Sequence, residues 1–199
     1  MKTKLLLLFI ALCYSNLATA QEEKSEKSSL ESKQKTNPMH GNGFNYISFG
    51  AEIGPTLSGS SQTYPVHLAL PIKVYLGRQK KGRFLIRTGL HYFPAPSERL
   101  SPDVKSAYLT IIPLAIGYRK NIQNWYIEGS LGAALNMGTV VFNDSSIESW
   151  TVTYREINYG LEVGRQIGDW DVGVAAYNTG PIPANIVYMG VKTSYRVKW

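Results

Sequence analysis

From residue 44 to the C-terminus, side chains sort by parity within each of eight segments, and one parity is free of charge apart from Arg155 near the start of the sixth. Successive side chains of a β-strand point to opposite faces, so parity in the sequence becomes a face in the structure. The uncharged face reads Ile47, Phe49, Ala51 and Ile53, then Val66, Leu68, Leu70, Ile72, Val74 and Leu76, then Phe84, Ile86, Thr88, Leu90 and Tyr92. It continues the same way to Val191, Thr193, Tyr195, Val197 and Trp199. The other face carries Glu52, Lys73, Arg87, Arg119, Glu128, Glu156, Glu162, Asp171, Lys192, Arg196 and Lys198, with His67 and His91. Glycines are set between them, among them Gly50, Gly89, Gly117, Gly132, Gly160, Gly164, Gly173 and Gly190.

Alternation alone also fits a soluble carrier barrel with an apolar lining. The glycines separate the two cases. On a solvated strand surface glycine weakens the strand and brings nothing in return. Inside a narrow barrel, small residues beside large charged ones are what packing demands. The charged face therefore points inward, and an apolar belt on the outside of a barrel belongs in lipid. The segments fall at 44–54, 64–77, 84–93, 107–119, 125–137, 152–164, 170–178 and 186–199, and no stretch has a sustained helical period. Short connections follow the second, fourth and sixth segments and longer ones the others, the longest being 94–106 and 138–151. The pattern predicts an all-β protein: an eight-stranded antiparallel up-and-down transmembrane β-barrel over 44–199, with both termini on the periplasmic side. In that orientation Phe84, Tyr118, Trp125, Trp170, Tyr195 and Trp199 sit at the inner interface and Tyr92 and Tyr108 at the outer one. Pro71 and Pro113 run against the pattern, because each removes a ladder donor in mid-strand.

The N-terminal part has a different texture. Residues 1–20 read as a signal peptide, with Lys2 and Lys4 ahead of an apolar core and small residues near Ala20 for cleavage. Residues 21–43 are rich in Glu, Lys, Ser and Gln, which predicts a disordered charged periplasmic linker. The single cysteine, Cys13, lies in the leader, so the mature chain has no disulfide or thiolate metal site. Loss of Lys2 and Lys4 lowers the formal charge from +7 to +5. The bases are scattered, apart from Arg78, Lys80, Lys81 and Arg83 in one turn, so nucleic acid is not an expected partner.

The stretch from Tyr108 to Tyr118, YLTIIPLAIGY, resembles a strand common in small outer-membrane barrels of Bacteroidota, the PorT-like or porin-family barrels. The segment WYIEGSLG from Trp125 resembles the strand that follows it there, and GVKTSYRVKW from Gly190 resembles an aromatic-terminated last strand. The resemblance covers 44–199. It implies localisation in the bacterial outer membrane, contact with outer-membrane lipid, and recognition of Tyr195 and Trp199 by the barrel-assembly machinery as a C-terminal signal. It also implies possible service to a secretion or envelope protein partner.

For chemistry, the sequence offers an interior of nearly balanced charge. Buried ions persist when paired, so Glu52, Lys73, Arg87, Arg119, Glu128, Glu156, Glu162, Asp171, Lys192 and Arg196 are predicted to form a structural ion-pair network that plugs the barrel. Such a plug argues against a diffusion pore, which needs about 16 strands or more. Neither histidine of the barrel is followed two residues later by serine, and Asp144, Ser145 and Ser146 have no histidine evidently near them, so no nucleophile–base pair is expected and the protein is read as non-enzymatic. His40 in the linker reads as a bystander, and Glu98, Asp103, Asp144 and Glu148 as single solvated loop acids. No cofactor or metal is expected. The favoured function is a structural or partner-interaction component. The alternative is a narrow transporter of small, partly apolar molecules, suggested by the inward Leu85, Phe93, Leu109 and Ile111.

Overall fold

Eight antiparallel strands close into a ring in sequence order, each bonded to the next, with the last returning to the first. They are β1 (Tyr46–Pro55), β2 (Val66–Leu76), β3 (Gly82–Pro94), β4 (Val104–Ile122), β5 (Trp125–Phe142), β6 (Trp150–Ile167), β7 (Trp170–Thr179) and β8 (Ile186–Lys198). The structure is a computed structural model and describes residues 45–57, 59–77, 82–181 and 186–199. The predicted leader, the linker, Phe44, and Arg78, Lys80 and Lys81 of the basic turn lie outside the described residues.

The faces separate as the parity predicts. Leu70 and Ile116 on the uncharged face are 61% and 72% exposed, whereas Arg87 and Arg119 on the other face are 2% and 0%. Edge-on and tilted aromatic pairs form on the outer surface at both rims. Phe84 meets Tyr118 and Trp170 meets Tyr195 at one end, and Tyr92 meets Tyr108 at the other.

Strand ends depart from the sequence reading in one direction. The ladders of β4 with β5 and β5 with β6 run on to Val104↔Phe142 and Val140↔Trp150, so the loops expected at 94–106 and 138–151 shrink to 95–103 and 143–149. The predicted membrane strands ended where apolar alternation ended. Backbone pairing continues past that point, because Thr, Ser and Val still pair well once the lipid has been left behind. Strands of 18 and 19 residues exceed the ~9–11 that span a bilayer, so three strands project beyond the outer rim. At the inner rim the turns tighten to Gln123–Asn124 and to Gly168–Asp169, and the first residue of each takes positive φ (55° and 61°), as two-residue hairpins require.

The two prolines flank one residue. Pro71 on β2 stands opposite Gly89 on β3, and on the other side of β3 the register aligns Gly89 with Pro113 of β4. The β3–β4 ladder is interrupted there, between Arg87↔Ala115 and His91↔Ile111, and the β1–β2 ladder skips between Phe49↔Ile72 and Glu52↔Ala69. Gly89 adopts φ 146°, a region that side chains with a Cβ rarely enter. An added Cβ would lie 2.6 Å from the Leu70 carbonyl oxygen. The missing donors thus fall close together but in two ladders, Pro71's toward β1 and Pro113's toward β3, each where the pairing is interrupted.

Gly89→Ala is expected to destabilise the barrel by about 1–3 kcal/mol through backbone strain alone, read as a lower urea midpoint in detergent micelles. Gly129→Ala, at an outward position with open space around it, should stay within about 0.5 kcal/mol of the parent.

Candidate functional site in the barrel lumen

Every inward position in a ring of eight strands faces the same narrow axis, so residues far apart in sequence become neighbours across it. The centre of the resulting array is Arg119 on β4. Its Nη1 and Nη2 donate to the two oxygens of Asp171 on β7 at 2.6 and 3.0 Å, and Nη1 also reaches Glu128 Oε1 on β5 at 3.1 Å. The guanidinium lies 3.7 Å from the centre of the Tyr126 ring. The planar fork of arginine suits a two-oxygen acceptor on one edge and an aromatic ring on its face.

From this centre the charges form a continuous chain. Lys73 on β2 donates to Glu128 Oε2 and, at 2.5 Å, to Glu162 Oε2 on β6. Lys192 on β8 donates to the same Glu162 oxygen at 3.0 Å. At the other end the Arg196 guanidinium lies 3.4 Å from Asp171 Oδ1, and its Nη2 donates to the Gly168 carbonyl at 2.5 Å. Two tyrosines complete the acceptors, Tyr75 OH on Glu128 Oε1 at 2.6 Å and Tyr126 OH on Glu162 Oε1 at 2.7 Å. All seven charged members are buried. The space between them is nearly filled: a void of about 10 Å³ is lined by Lys73, Arg87, Glu128, Glu162 and Tyr177, room for about one water. Glycines fit the bulk opposite them, since a Cβ on Gly160 would lie 2.2 Å from the Tyr177 ring and one on Gly164 2.4 Å from the Tyr126 hydroxyl.

Three residues of the predicted network stand outside this chain. Arg87 is buried but meets no carboxylate. It donates to Ser130 Oγ at 3.2 Å and to Asn158 Oδ1, and its guanidinium lies 4.5 Å from the Tyr177 ring centre. Asn158 is fixed in turn by Thr179 Oγ1 at 2.7 Å and the Asn178 carbonyl. Neutral amide, hydroxyl and ring thus take the place of the expected acid. Glu156 corrects the sequence reading more plainly. It has the inward parity but stands half-exposed on β6, next to the mouth, and no ion pair holds it among the described residues. Glu52 is buried, but its partner is His67 at 3.0 Å and not a lysine or arginine. Lys198, also of inward parity, lies exposed at the inner rim, 3.6 Å from Asp169.

The inward apolar residues divide. Phe93, Leu109 and Ile111 pack with Ala134, Tyr177 and Tyr188 in the outer half of the lumen, while Leu85 joins Tyr46 and Tyr75 in a second cluster. Among the terminal aromatics, Tyr195 faces outward against Trp170, and the Trp199 backbone N–H donates to the Asn45 carbonyl at 3.0 Å. In the β5–β6 connection, the Ser146 N–H and hydroxyl donate to Asp144 Oδ1 at 2.8 and 2.7 Å. These two donors hold the Asp144 carboxyl below the usual carboxylate range.

One grouping was passed over in the sequence. Glu52, His67 and His91 come together on three adjacent strands, with ligand-capable atoms all within 4.8 Å of one another. No spacing motif announces it, because closure of the barrel and two separate strand registers create it.

No protein-family model matches the chain, and no curated protein matches it. Solved structures do. Ail, the attachment invasion locus protein of Yersinia pestis, crystallised with the heparin analogue sucrose octasulfate, aligns at a TM-score of 0.58 and 12% identity over 78% of this chain and 99% of that one. Neisserial surface protein A aligns at 0.51 and 15% over 78% and 97%. The outer membrane protein OprG from Pseudomonas aeruginosa aligns at 0.51 and 10% over 80% and 98%. At such identities the likeness is one of fold: this chain has the fold of small eight-stranded outer-membrane barrels.

Arg119→Ala leaves the buried Asp171 without its main counter-charge and Glu128 with Lys73 as its one remaining cation, so a loss of about 3–5 kcal/mol is expected. Arg87→Ala strands only neutral groups and should cost clearly less; urea unfolding of the two variants in micelles orders them. Ionised Asp144 favours the turn, and that preference is complete above the unfolded carboxyl value and fades as pH falls through the lower folded one. An NMR titration should accordingly show the Asp144 midpoint below the reference of about 3.9, moving up in Ser146→Ala.

Proposed function

We propose that the chain is an integral protein of the bacterial outer membrane, inserted after removal of a signal peptide near Ala20. Its lumen is closed by the ion-pair chain, and it works as a structural or partner-interaction component of the envelope, without catalysis. The apolar outer belt and the barrel fold support the location. The resemblance of 108–118 and 190–199 to PorT-like barrels supports a partner drawn from a secretion or envelope assembly, and Tyr195 and Trp199 are the residues we assign to recognition by the barrel-assembly machinery.

The observation that carries the interaction role is the projecting sheet of β4, β5 and β6. Above the mouth, Trp150, Val152 and Tyr154 continue the lumen-facing parity of β6, yet they are exposed. Their partners in register are Val140, Gly138 and Asn136 of β5. Three adjacent large apolar side chains beyond the bilayer, with Thr151, Thr153 and Arg155 on the opposite face, give the sheet one oily side. Such a side, rimmed by polar residues, is what a protein contact uses. The Leu85, Phe93, Leu109 and Ile111 set, which suggested a passage for small apolar molecules, is split between two packed clusters and gives the transporter reading no support.

Planar bilayers containing the barrel are expected to stay without discrete current steps; steady single-channel openings would overturn the closed lumen. A photo-cross-linking residue at Trp150 should capture a protein partner in native outer membranes, and the same residue at the buried Tyr126 should capture none.

A further inference from the structure

Glu52, His67 and His91 occupy inward positions near the outer end of β1, β2 and β3. The registers Gly54↔His67, Glu52↔Ala69 and Ala69↔His91 bring them together. All three are buried, both imidazoles at 0% exposure. His67 Nδ1 lies 3.1 Å from the Gly54 carbonyl oxygen, which can only accept, so Nδ1 carries a proton. Its Nε2 then turns a lone pair toward Glu52 Oε1, 3.0 Å away. Two lone pairs facing each other at that distance need a positive species between them, a proton or a metal ion. A proton would satisfy His67 and Glu52 but not His91, whose two ring nitrogens have no hydrogen-bond partner in a fully buried position. A metal ion uses all three groups at once.

We infer that Glu52, His67 and His91 form a binding site for one divalent transition-metal ion of the zinc class. Two imidazoles and one carboxylate are a zinc ligand set, with a fourth position left for water. Ligand atoms around a tetrahedral ion held at ~2.0–2.1 Å stand about 3.3 Å apart; the Glu52–His67 pair is at 3.0 Å, so only His91 has to draw closer. The surroundings supply what such a site needs. The Gly54 carbonyl fixes the His67 tautomer, and Tyr177 OH donates to the other Glu52 oxygen at 3.4 Å, leaving Oε1 for the ion. Rings wall the site. Phe93 stacks on His67 at 5.4 Å, and Tyr188 sets its edge against both histidines at 4.9 and 5.2 Å. The nearby cations do not compete for the ligands, since Lys192 is held by Glu162 and Arg87 by Asn158 and Ser130. A single carboxylate beside those cations is a poor host for calcium or magnesium, which rely on several oxygen ligands, whereas imidazole nitrogen favours zinc and its neighbours.

Because the ligands are sealed from solvent, the ion enters while the barrel folds. The test uses the full chain with His40→Ala, so that His67 and His91 are the only histidines left. It is refolded into detergent with Zn²⁺ and then washed with chelator. One retained Zn²⁺ per chain is expected, and refolding with Co²⁺ should give the visible absorption bands of a tetrahedral site. His91→Phe keeps a ring in the stack, and Glu52→Gln keeps the side-chain volume. Each should still give a heat-modifiable folded band while retaining at least about tenfold less metal. Absence of retained Zn²⁺ in the folded parent, or equal retention in the folded His91→Phe variant, overturns the site.

Discussion

A ring of eight strands encloses an axis only as wide as the side chains that fill it, and most of this protein's features follow from that width. Water enough to solvate a row of lysines and glutamates does not fit there, so each inward charge has to find its opposite across the lumen or give way to a neutral group. Arg119 meets this demand with two carboxylates and a ring. Lys73 bridges two glutamates from different strands. Arg87, lacking an acid, is held by an amide, a hydroxyl and the face of Tyr177. The same narrowness explains why Gly160 and Gly164 stand beside Tyr177 and Tyr126, their partners in register on the neighbouring strands.

The architecture was legible because period-two alternation and the placement of glycine are local signals, and each strand repeats them. Pairing partners were not legible, since they depend on register and on the strand stagger around the ring. Glu156 shows the limit well. Its parity is inward, yet β6 has by then approached the mouth, where an inward direction leads toward water. Strand length failed for a related reason. Apolar alternation reports the membrane, while hydrogen bonding between β4, β5 and β6 needs no membrane and runs further. The Glu52, His67 and His91 grouping was invisible for the strongest form of this reason, because two registers had to be known before three distant residues could be placed side by side.

Pro71 and Pro113 looked like separate defects in the sequence. In the barrel both abut Gly89, and the ladder gaps they leave lie close together, Pro71's toward β1 and Pro113's toward β3. Local conflict with a fold thus need not accumulate. It can be collected at one level of the sheet, leaving the ladder of β2 and β3 between the two gaps continuous.

The ion-pair chain also bears on the order in which the molecule can come together. Lys192 and Arg196, which pair with Glu162 and Asp171, both reside on β8, the strand that closes the ring against β1. Until that strand docks against β1, Glu162 and Asp171 each lack one of the two cations that flank them in the closed ring. Sealing the ring and completing the counter-charges along its axis are therefore a single event.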